Sequence, residues 1–140
     1  MVENFRTIVF QYPILWFNCP RLLKQWLDEV LVQEWEFGSE CKYKLEGKKI
    51  MLAVSAGIDR EQYQAEGRYQ YTMQQLLALF ELTLKYIKAE YQPPFVLSGL
   101  EFNGSAERIN MSAADYISHI ESIRNKALHR TSTIKHPLIK

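Results

Sequence analysis

Prolines and aromatic residues are concentrated in residues 12–20 (YPILWFNCP), between a predicted strand and a predicted helix. Trp16 and Phe17 are adjacent aromatic rings close to the N-terminus of that helix, where backbone N–H groups lack partners. A flat apolar wall beside such donors suits a planar heterocycle with polar edges. The other interpretation is that both rings pack into the core, as aromatic side chains usually do. The residue pattern leaves both interpretations open.

Two further segments follow the second predicted strand. Ser55-Ala56-Gly57 comes directly after it, and a glycine there lets the backbone approach a ligand closely. The polar stretch Gly57–Tyr71, with tyrosines at 63, 69 and 71, reads as a long loop, and structureless loops of this size are usually functional. Its tyrosine hydroxyls could hydrogen-bond a bound ring, although exposed loop tyrosines are often only surface residues.

The elements that position these segments alternate between strand and helix. Short apolar runs predict strands at Thr7–Gln11, Lys48–Ser55 and Tyr91–Leu97, the last interrupted by prolines and therefore at a sheet edge. Apolar residues at helical spacing predict three helices. One follows Pro20, one follows the capping box of Thr72 and Gln75, and one follows a predicted cap at Ser112. Strands joined by helical crossovers predict an α/β fold, a parallel sheet with helices on both sides. Ligands bind at the carboxyl ends of strands in such sheets.

The bulk composition excludes several classes of function. The chain has 140 residues, is 47% hydrophobic and carries a net charge of +1, which predicts one domain and no nucleic-acid or anionic-membrane partner. No apolar run reaches the ~20 residues of a membrane span, and the start lacks the order of a secretory signal. Cys19 and Cys41 fit neither a disulfide framework nor a metal site, so we expect a cytoplasmic protein without zinc. Residues 131–140 are predicted to be a flexible tail.

The aromatic segment resembles a known family. Residues 10–20 (FQYPILWFNCP) and 22–28 (LLKQWLD) resemble the motif of flavodoxin-like NAD(P)H:quinone oxidoreductases, which include ancillary proteins of glutathione-gated potassium efflux systems. Residues 63–67 (YQAEG) and 93–97 (PPFVL) resemble later motifs of the family in the same order and spacing. The resemblance covers residues 4–125. It implies a flavodoxin-like three-layer sandwich that lacks the first two strands and the first helix of the family.

The resemblance also implies a cofactor and a reaction. FMN would receive hydride from NAD(P)H and pass it to a quinone in the same cleft. Tyr63 would be the catalytic side chain, and the protein would be a homodimer with a possible potassium-efflux membrane partner. The residues that would hold the isoalloxazine ring are those at the ends of the first two strands: Pro13, Ile14, Leu15, Trp16, Phe17, Ser55, Ala56 and Gly57.

Two departures from the family pattern weaken these expectations. Ser55-Ala56-Gly57 stands where the family usually has Thr-Thr-Gly, so one hydroxyl is absent. The family's first strand and phosphate-binding loop have no counterpart in residues 1–140, which would explain why the strand at Thr7–Gln11 is too apolar for an edge. Three lost charge-assisted hydrogen bonds, at about 1.5–3 kcal/mol each, predict flavin binding weaker by on the order of 10³–10⁶-fold. The enzyme is therefore expected to be weak or inactive.

Three alternatives remain at this level. Residues 53–57 (AVSAG) resemble the nucleophile elbow of a hydrolase, but a polar loop follows where an elbow requires a helix. A non-enzymatic regulatory subunit would keep the same flavin fold. An inactive gene remnant would also account for the departures from the family.

Overall fold

The structure is a computed structural model that describes residues 4–32 and 45–131. Its contacts divide into two units, Met1–Gly104 and Ser105–Lys140. The first unit contains, in chain order, β1 (Thr7–Pro13), α1 (Arg21–Val32), β2 (Lys49–Ser55), a 3₁₀ turn (Arg60–Gln62), α2 (Met73–Tyr86), β3 (Glu90–Tyr91), β4 (Phe95–Leu97) and α3 (Leu100–Asn103). The second unit contains α4 (Ala106–Thr131). The α/β prediction is confirmed.

Strand β2 is the centre of a parallel sheet. It pairs along its whole length with β1, in a register that places Pro13 beside Ser55. Its other edge pairs with β3 near its start and with β4 near its end. The predicted third strand is therefore two short strands, because Pro93 and Pro94 have no N–H groups to donate to the ladder. All three predicted strands are parallel, as the alternating pattern requires.

The core of the first unit lies where α1 and α2 cover one face of this sheet. Side chains alternate along β2, so that Leu52 and Val54 share a face while the buried Met51 and Ala53 point to the other. On the helix-covered face, the buried residues form two clusters. Ile50 and Leu84 belong to one of them, and the other lies nearer the carboxyl ends of β1 and β2: Tyr12, Leu27, Leu52, Val54, Leu77 and Phe80. This cluster anchors the carboxyl end of β1 and the start of α2, the two elements that flank the candidate site.

The helix starts test the capping predictions. The capping box at α2 is confirmed, since Thr72 Oγ1 accepts from the Gln75 N–H and the Gln75 side chain accepts from the Thr72 N–H. The predicted cap at Ser112 is wrong. Helix α4 begins earlier than predicted, at Ala106, after Ser105, whose Oγ accepts from the Arg108 N–H. The Ser112 hydroxyl instead donates to the Ile109 carbonyl inside the helix, an alternative that short polar side chains offer.

Strand β1 lies at the edge of the sheet within the described ranges. Its pairing partner is β2, and five of its seven residues are half-buried or fully buried rather than exposed. A central position for this strand stays an expectation from the resemblance. Of the predicted flexible tail, residues 132–140 lie outside the described residues, and the single-domain assignment stays a prediction.

Tyr12 carries an unpaired polar atom in this core. The side chain is 5% exposed, its ring lies 5.6 Å from the Phe80 ring, and its hydroxyl has no hydrogen-bond partner among the described residues. A buried unpaired hydroxyl costs about 1–3 kcal/mol. Burial, with a smaller effect of nearby Cys19, also raises the pKa of Tyr12 above its ordinary value of 10.0.

Tyr12→Phe is therefore expected to raise the free energy of unfolding by about 1–3 kcal/mol. Below pH 10 the phenol is neutral in the folded and the unfolded state, so its ionisation costs no stability. As the pH rises from 10 towards the higher pKa of the folded state, the unfolded state loses the proton first and the free energy of unfolding falls. The variant should accordingly lose less stability above pH 10, by up to about 1.4 kcal/mol per pH unit. Urea unfolding at pH 7 to 11 measures both effects. Tyr71→Phe, at an exposed position, is the control and should change neither.

Candidate functional site

Three strand ends converge at one edge of the sheet. The Ile14 N–H donates to the Ser55 carbonyl (2.7 Å), and the Ala56 N–H donates to the Leu97 carbonyl (2.8 Å). These bonds continue the parallel ladders past the ends of β1, β2 and β4. The segments after β1 and after β2, both singled out in the sequence, therefore lie side by side.

The segment after β1 is a tight turn with unusual backbone geometry. The Leu15 N–H donates to the Asn18 carbonyl (2.8 Å), and the Asn18 N–H donates to the Leu15 carbonyl (2.9 Å). Between them, Trp16 and Phe17 have φ values of 50° and 63°. Two consecutive residues with positive φ define a type I′ turn, which normally takes Asn-Gly or Asp-Gly. For bulky aromatic residues this conformation costs roughly 1–2 kcal/mol each.

The turn holds its two aromatic rings differently. Trp16 is 95% exposed, so the interpretation that it packs in the core is wrong. The Phe17 ring packs edge-on against the Tyr69 ring, with centroids 5.0 Å apart. Backbone strain combined with full exposure of a large ring is typical of functional sites, because an exposed ring gains almost no burial in the described part of the fold to offset the strain.

Phe17 begins a row of three aromatic rings that links the β1 turn to the loop after β2. Tyr69 contacts Phe17 on one side, and its centroid lies 5.5 Å from that of Tyr63 on the other. The Arg68 guanidinium lies 5.7 Å from the centre of the Tyr69 ring. We call Phe17, Tyr69 and Tyr63 the aromatic row. The sequence marked Tyr69 as one of several loop tyrosines and did not single it out as a site residue. Its contacts with Phe17 and Tyr63 distinguish it from Tyr71, and these contacts are visible only in the folded structure.

The loop after β2 is ordered by its own hydrogen bonds and is not structureless as predicted. After the 3₁₀ turn, the Gly67 N–H donates to the Gln64 carbonyl (3.0 Å) and the Tyr69 N–H donates to the Gln62 carbonyl (3.3 Å). Gly67 lies directly against the backbone of the 3₁₀ turn. A Cβ there would sit 2.4 Å from the Glu61 carbonyl oxygen and 2.6 Å from that of Gln62. The loop can close only around glycine, and its closure fixes Tyr63 and Tyr69.

The remaining predicted ring-binding residues have mixed surroundings. Pro13 ends β1 and is exposed, Leu15 is exposed, and Ile14 packs against the core. Ala56 is buried, and its carbonyl accepts from the Leu100 N–H (3.2 Å). Ile14 and Ala56 therefore belong to the scaffold that supports the turn.

Gly57 makes a close contact that the sequence did not reveal. A Cβ at this position would meet Glu101 Cβ at 3.3 Å, and the Gly57 carbonyl accepts from the Glu101 N–H (2.9 Å). The small size of residue 57 thus accommodates the start of α3. Glu101 adds a carboxylate beside this strand end, a residue for which the sequence carried no signal.

Several backbone donors at this edge remain available to a ligand. Within the described ranges, the N–H groups of Trp16, Phe17, Gly57 and Ile58 donate to no acceptor. They come from the β1 turn and from the segment after β2, on either side of the Ile14–Ser55 hydrogen bond. Backbone donors beside an exposed indole can bind a flat ring through its face and its polar edge.

Tyr63 is the titratable side chain of the aromatic row with a perturbed environment. It is 4% exposed, and this burial, with a smaller effect of Tyr69, raises its pKa above 10.0. The phenol is therefore protonated at neutral pH and can donate a hydrogen bond, but it cannot act there as a base. Among the described side chains, no group of three His, Cys, Asp or Glu is arranged to hold a metal ion.

A family model described as the flavodoxin-like fold matches residues 2–120. General stress protein 14 of Bacillus subtilis (strain 168) is 44% identical over 120 residues, which cover 84% of this chain and 67% of that protein. The NAD(P)H oxidoreductase YrkL of the same organism is 41% identical over 115 residues, covering 78% and 66%. The chain belongs to the flavodoxin-like family of NAD(P)H oxidoreductases.

Two further comparisons bear on the cofactor and on partners. The crystal structure of general stress protein 14 from Treponema denticola, in complex with FMN, has a TM-score of 0.74 and 44% identity, over 86% of this chain and 68% of that one. The potassium-efflux ancillary protein KefG of Erwinia tasmaniensis is 31% identical over 97 residues, covering 69% and 52%. The chain thus spans about two thirds of the first relatives and about half of KefG. No helix within the described ranges is long and apolar enough to cross a membrane.

Proposed function

We propose that the chain binds the isoalloxazine ring of FMN at the β1 turn and reduces quinones with NAD(P)H by two-electron transfer in the cytoplasm. The single observation that carries this proposal is the strained turn, which presents Trp16 to solvent at 95% exposure. A binding site offers a reason for that strain, because a bound ring would cover the indole and accept hydrogen bonds from the turn. The general stress protein 14 structure with FMN supports the choice of ring.

The residues at the sheet edge fit this cofactor. Trp16 would contact the flat face of the ring, while the Trp16, Phe17, Gly57 and Ile58 N–H groups would donate to its polar edge. Bound FMN supplies hydride acceptance and donation. The chain's own part is to bind and orient the reactants beside the aromatic row and to exclude water. Riboflavin has the same ring as FMN and lacks the phosphate. Because all four donors would contact the ring, riboflavin should bind to residues 1–140 about as well as FMN does.

Tyr63 would position the electron acceptor. Its protonated hydroxyl can donate to a quinone oxygen, on which negative charge develops during reduction. Tyr63→Phe keeps the ring contact with Tyr69 and removes this donor, so kcat should fall about tenfold or more with little change in FMN affinity. Steady-state NADPH oxidation with a quinone measures kcat, and flavin fluorescence measures affinity. Tyr71→Phe is the matched control; an unchanged kcat for Tyr63→Phe would exclude the assigned role.

The similarity to KefG favours a second candidate function, that of a regulatory subunit of a potassium-efflux membrane protein. The two functions make different demands on Tyr63. A regulatory subunit should activate efflux undiminished when Tyr63→Phe has lowered quinone reduction about tenfold or more, whereas regulation through catalysis should weaken with it. Potassium efflux from cells that express either version distinguishes the two.

Apolar side chains on the surface of α2 support a homodimer. Leu79, Leu82 and Tyr86 are all exposed, and with α1 they border a groove of about 750 Å³. Contiguous exposed apolar surface of this kind is typical of interaction sites. We expect Leu79→Lys to shift a dimer towards monomer in sedimentation experiments. Leu22→Lys is the matched control, because it makes the same change at an exposed leucine of α1 that does not border the groove.

A further inference from the structure

A pocket of about 370 Å³ lies between the 3₁₀ turn, the start of α2 and β4. It is separate from the exposed indole of Trp16, and it shares Tyr63 with the aromatic row. Its volume is within the range of sites that hold small molecules. Its lining combines one cation, several hydrogen-bond donors and an apolar wall.

The cation is Arg60. Arg60 lines the pocket, and no Asp or Glu among the described residues does. Within the described part of the chain, its guanidinium forms no ion pair. The charge of Arg60 is thus available to a ligand, and guanidinium groups bind carboxylate and phosphate through paired hydrogen bonds.

The first turn of α2 adds backbone donors. The Thr72 hydroxyl accepts from the Gln75 N–H, which leaves the Met73 and Gln74 N–H groups without acceptors among the described residues. Both residues line the pocket, at the start of a 14-residue helix. The helix dipole and these free donors favour an anion at this position.

Tyr63 is an independent indication of a ligand. Its side chain is 4% exposed, yet its hydroxyl makes no hydrogen bond with a described residue. Among the described residues, the Tyr12 hydroxyl is the side-chain group that is both fully buried and without a hydrogen-bond partner. The Tyr63 hydroxyl also lacks a partner but is not fully buried, so it must reach accessible space. Tyr63 lines this pocket, so the pocket offers the space that its hydroxyl needs, and the phenol adds a third kind of donor.

The opposite wall is apolar. Pro93, Pro94 and Val96 line the pocket from the β4 side. A bare inorganic anion would leave this wall uncovered. An anion with an apolar body would use the wall and the donors together.

From these observations we infer that the pocket binds a small carboxylate with an apolar body, its carboxylate held by Arg60, by the Met73 and Gln74 N–H groups and by the Tyr63 hydroxyl. Binding requires neither flavin nor NAD(P)H. In combination with the proposed function, an occupant that contacts Tyr63 would lie next to the aromatic row. An acidic electron acceptor would then be favoured over a neutral one, and this second step alone rests on the proposed function.

The test is calorimetry and amide NMR on the full chain without flavin, with benzoate as the probe and benzamide as its neutral analogue. Benzoate should bind at least about tenfold more tightly than benzamide and shift the Met73 and Gln74 amide signals. Arg60→Gln should weaken benzoate binding about tenfold or more, whereas Arg21→Gln, the same charge change on α1, should not. Tyr63→Phe should weaken it by a smaller factor and leave the fold intact, since the ring remains.

Three outcomes would overturn the inference. These are equal affinity of the Arg60→Gln and Arg21→Gln proteins, equal affinity for benzoate and benzamide, or amide shifts that leave Met73 and Gln74 unaffected. Inorganic phosphate serves as a third ligand, and binding as tight as that of benzoate would be a fourth outcome against the inference, because it would exclude the role of the apolar wall. Because flavin is absent throughout, these failures would leave the proposed oxidoreductase function untouched.

Discussion

Trp16→Gly is expected to raise the free energy of unfolding while it weakens FMN binding. Glycine adopts the positive φ of 50° without the cost of a Cβ, which relieves roughly 1 kcal/mol of strain. Little burial is lost, because the indole is 95% exposed. The same change removes a flat aromatic surface, and stacking on such a surface contributes ~1–3 kcal/mol, or about 5- to 150-fold in affinity. Opposite signs for stability and binding distinguish a binding residue from a structural one.

Trp16→Ala separates the two effects. Alanine keeps the strain of the turn and lacks the ring, so FMN affinity should fall as in the glycine variant while stability stays near that of the parent chain. Urea unfolding and flavin fluorescence titration measure the two quantities on the same preparations. FMN affinity equal to the parent's in both variants would remove Trp16 from the site.

Gly67→Ala should damage both the fold and the site. The added Cβ would lie 2.4 Å and 2.6 Å from two backbone carbonyl oxygens, which cannot rotate away as a side chain can. Overpacking of this kind costs about 1–3 kcal/mol, and the loop must move to relieve it. Displacement of Tyr63 and Tyr69 by about 1 Å should lower quinone reductase kcat on the order of 100-fold.

Gly47→Ala is the control for this change. Gly47 has φ of 72° and open space around its Cβ position, so alanine there costs only backbone strain of roughly 1–2 kcal/mol. It should lower stability without affecting flavin binding or turnover. If Gly67→Ala and Gly47→Ala had the same effect on kcat, the loop would not be what positions Tyr63.

The parts of the fold that follow local rules were predictable from the sequence. Apolar β-branched runs predicted β1 and β2 to within about two residues at each end, and Thr72 with Gln75 predicted the start of α2. Pro93 and Pro94 marked the interrupted edge strand, because a missing N–H acts wherever it occurs. The predicted cap at Ser112 was wrong because the local rule has two outcomes. A serine followed by an acid three residues later fits the capping pattern, but the same hydroxyl can form a hydrogen bond within a helix.

The site was predictable in its location and not in its geometry. The aromatic segment after β1 was identified, but no sequence rule places two aromatic residues at positive φ, where Asn and Gly are expected. The contact of Phe17 with Tyr69 joins residues 52 positions apart, and such contacts leave no periodic signal. The fit of Gly67 against Glu61 likewise becomes visible only when the loop is closed.

The most direct test of flavin binding at the β1 turn is a titration of the isotope-labelled 140-residue chain with FMN, followed by amide NMR up to about 1 mM ligand to cover weak binding. The proposal predicts that the Trp16, Phe17, Gly57 and Ile58 signals shift together on one binding curve, and that riboflavin gives the same pattern. Shifts confined to other regions, such as the groove between α1 and α2, would contradict it, as would unchanged Trp16 and Gly57 signals at the highest concentration.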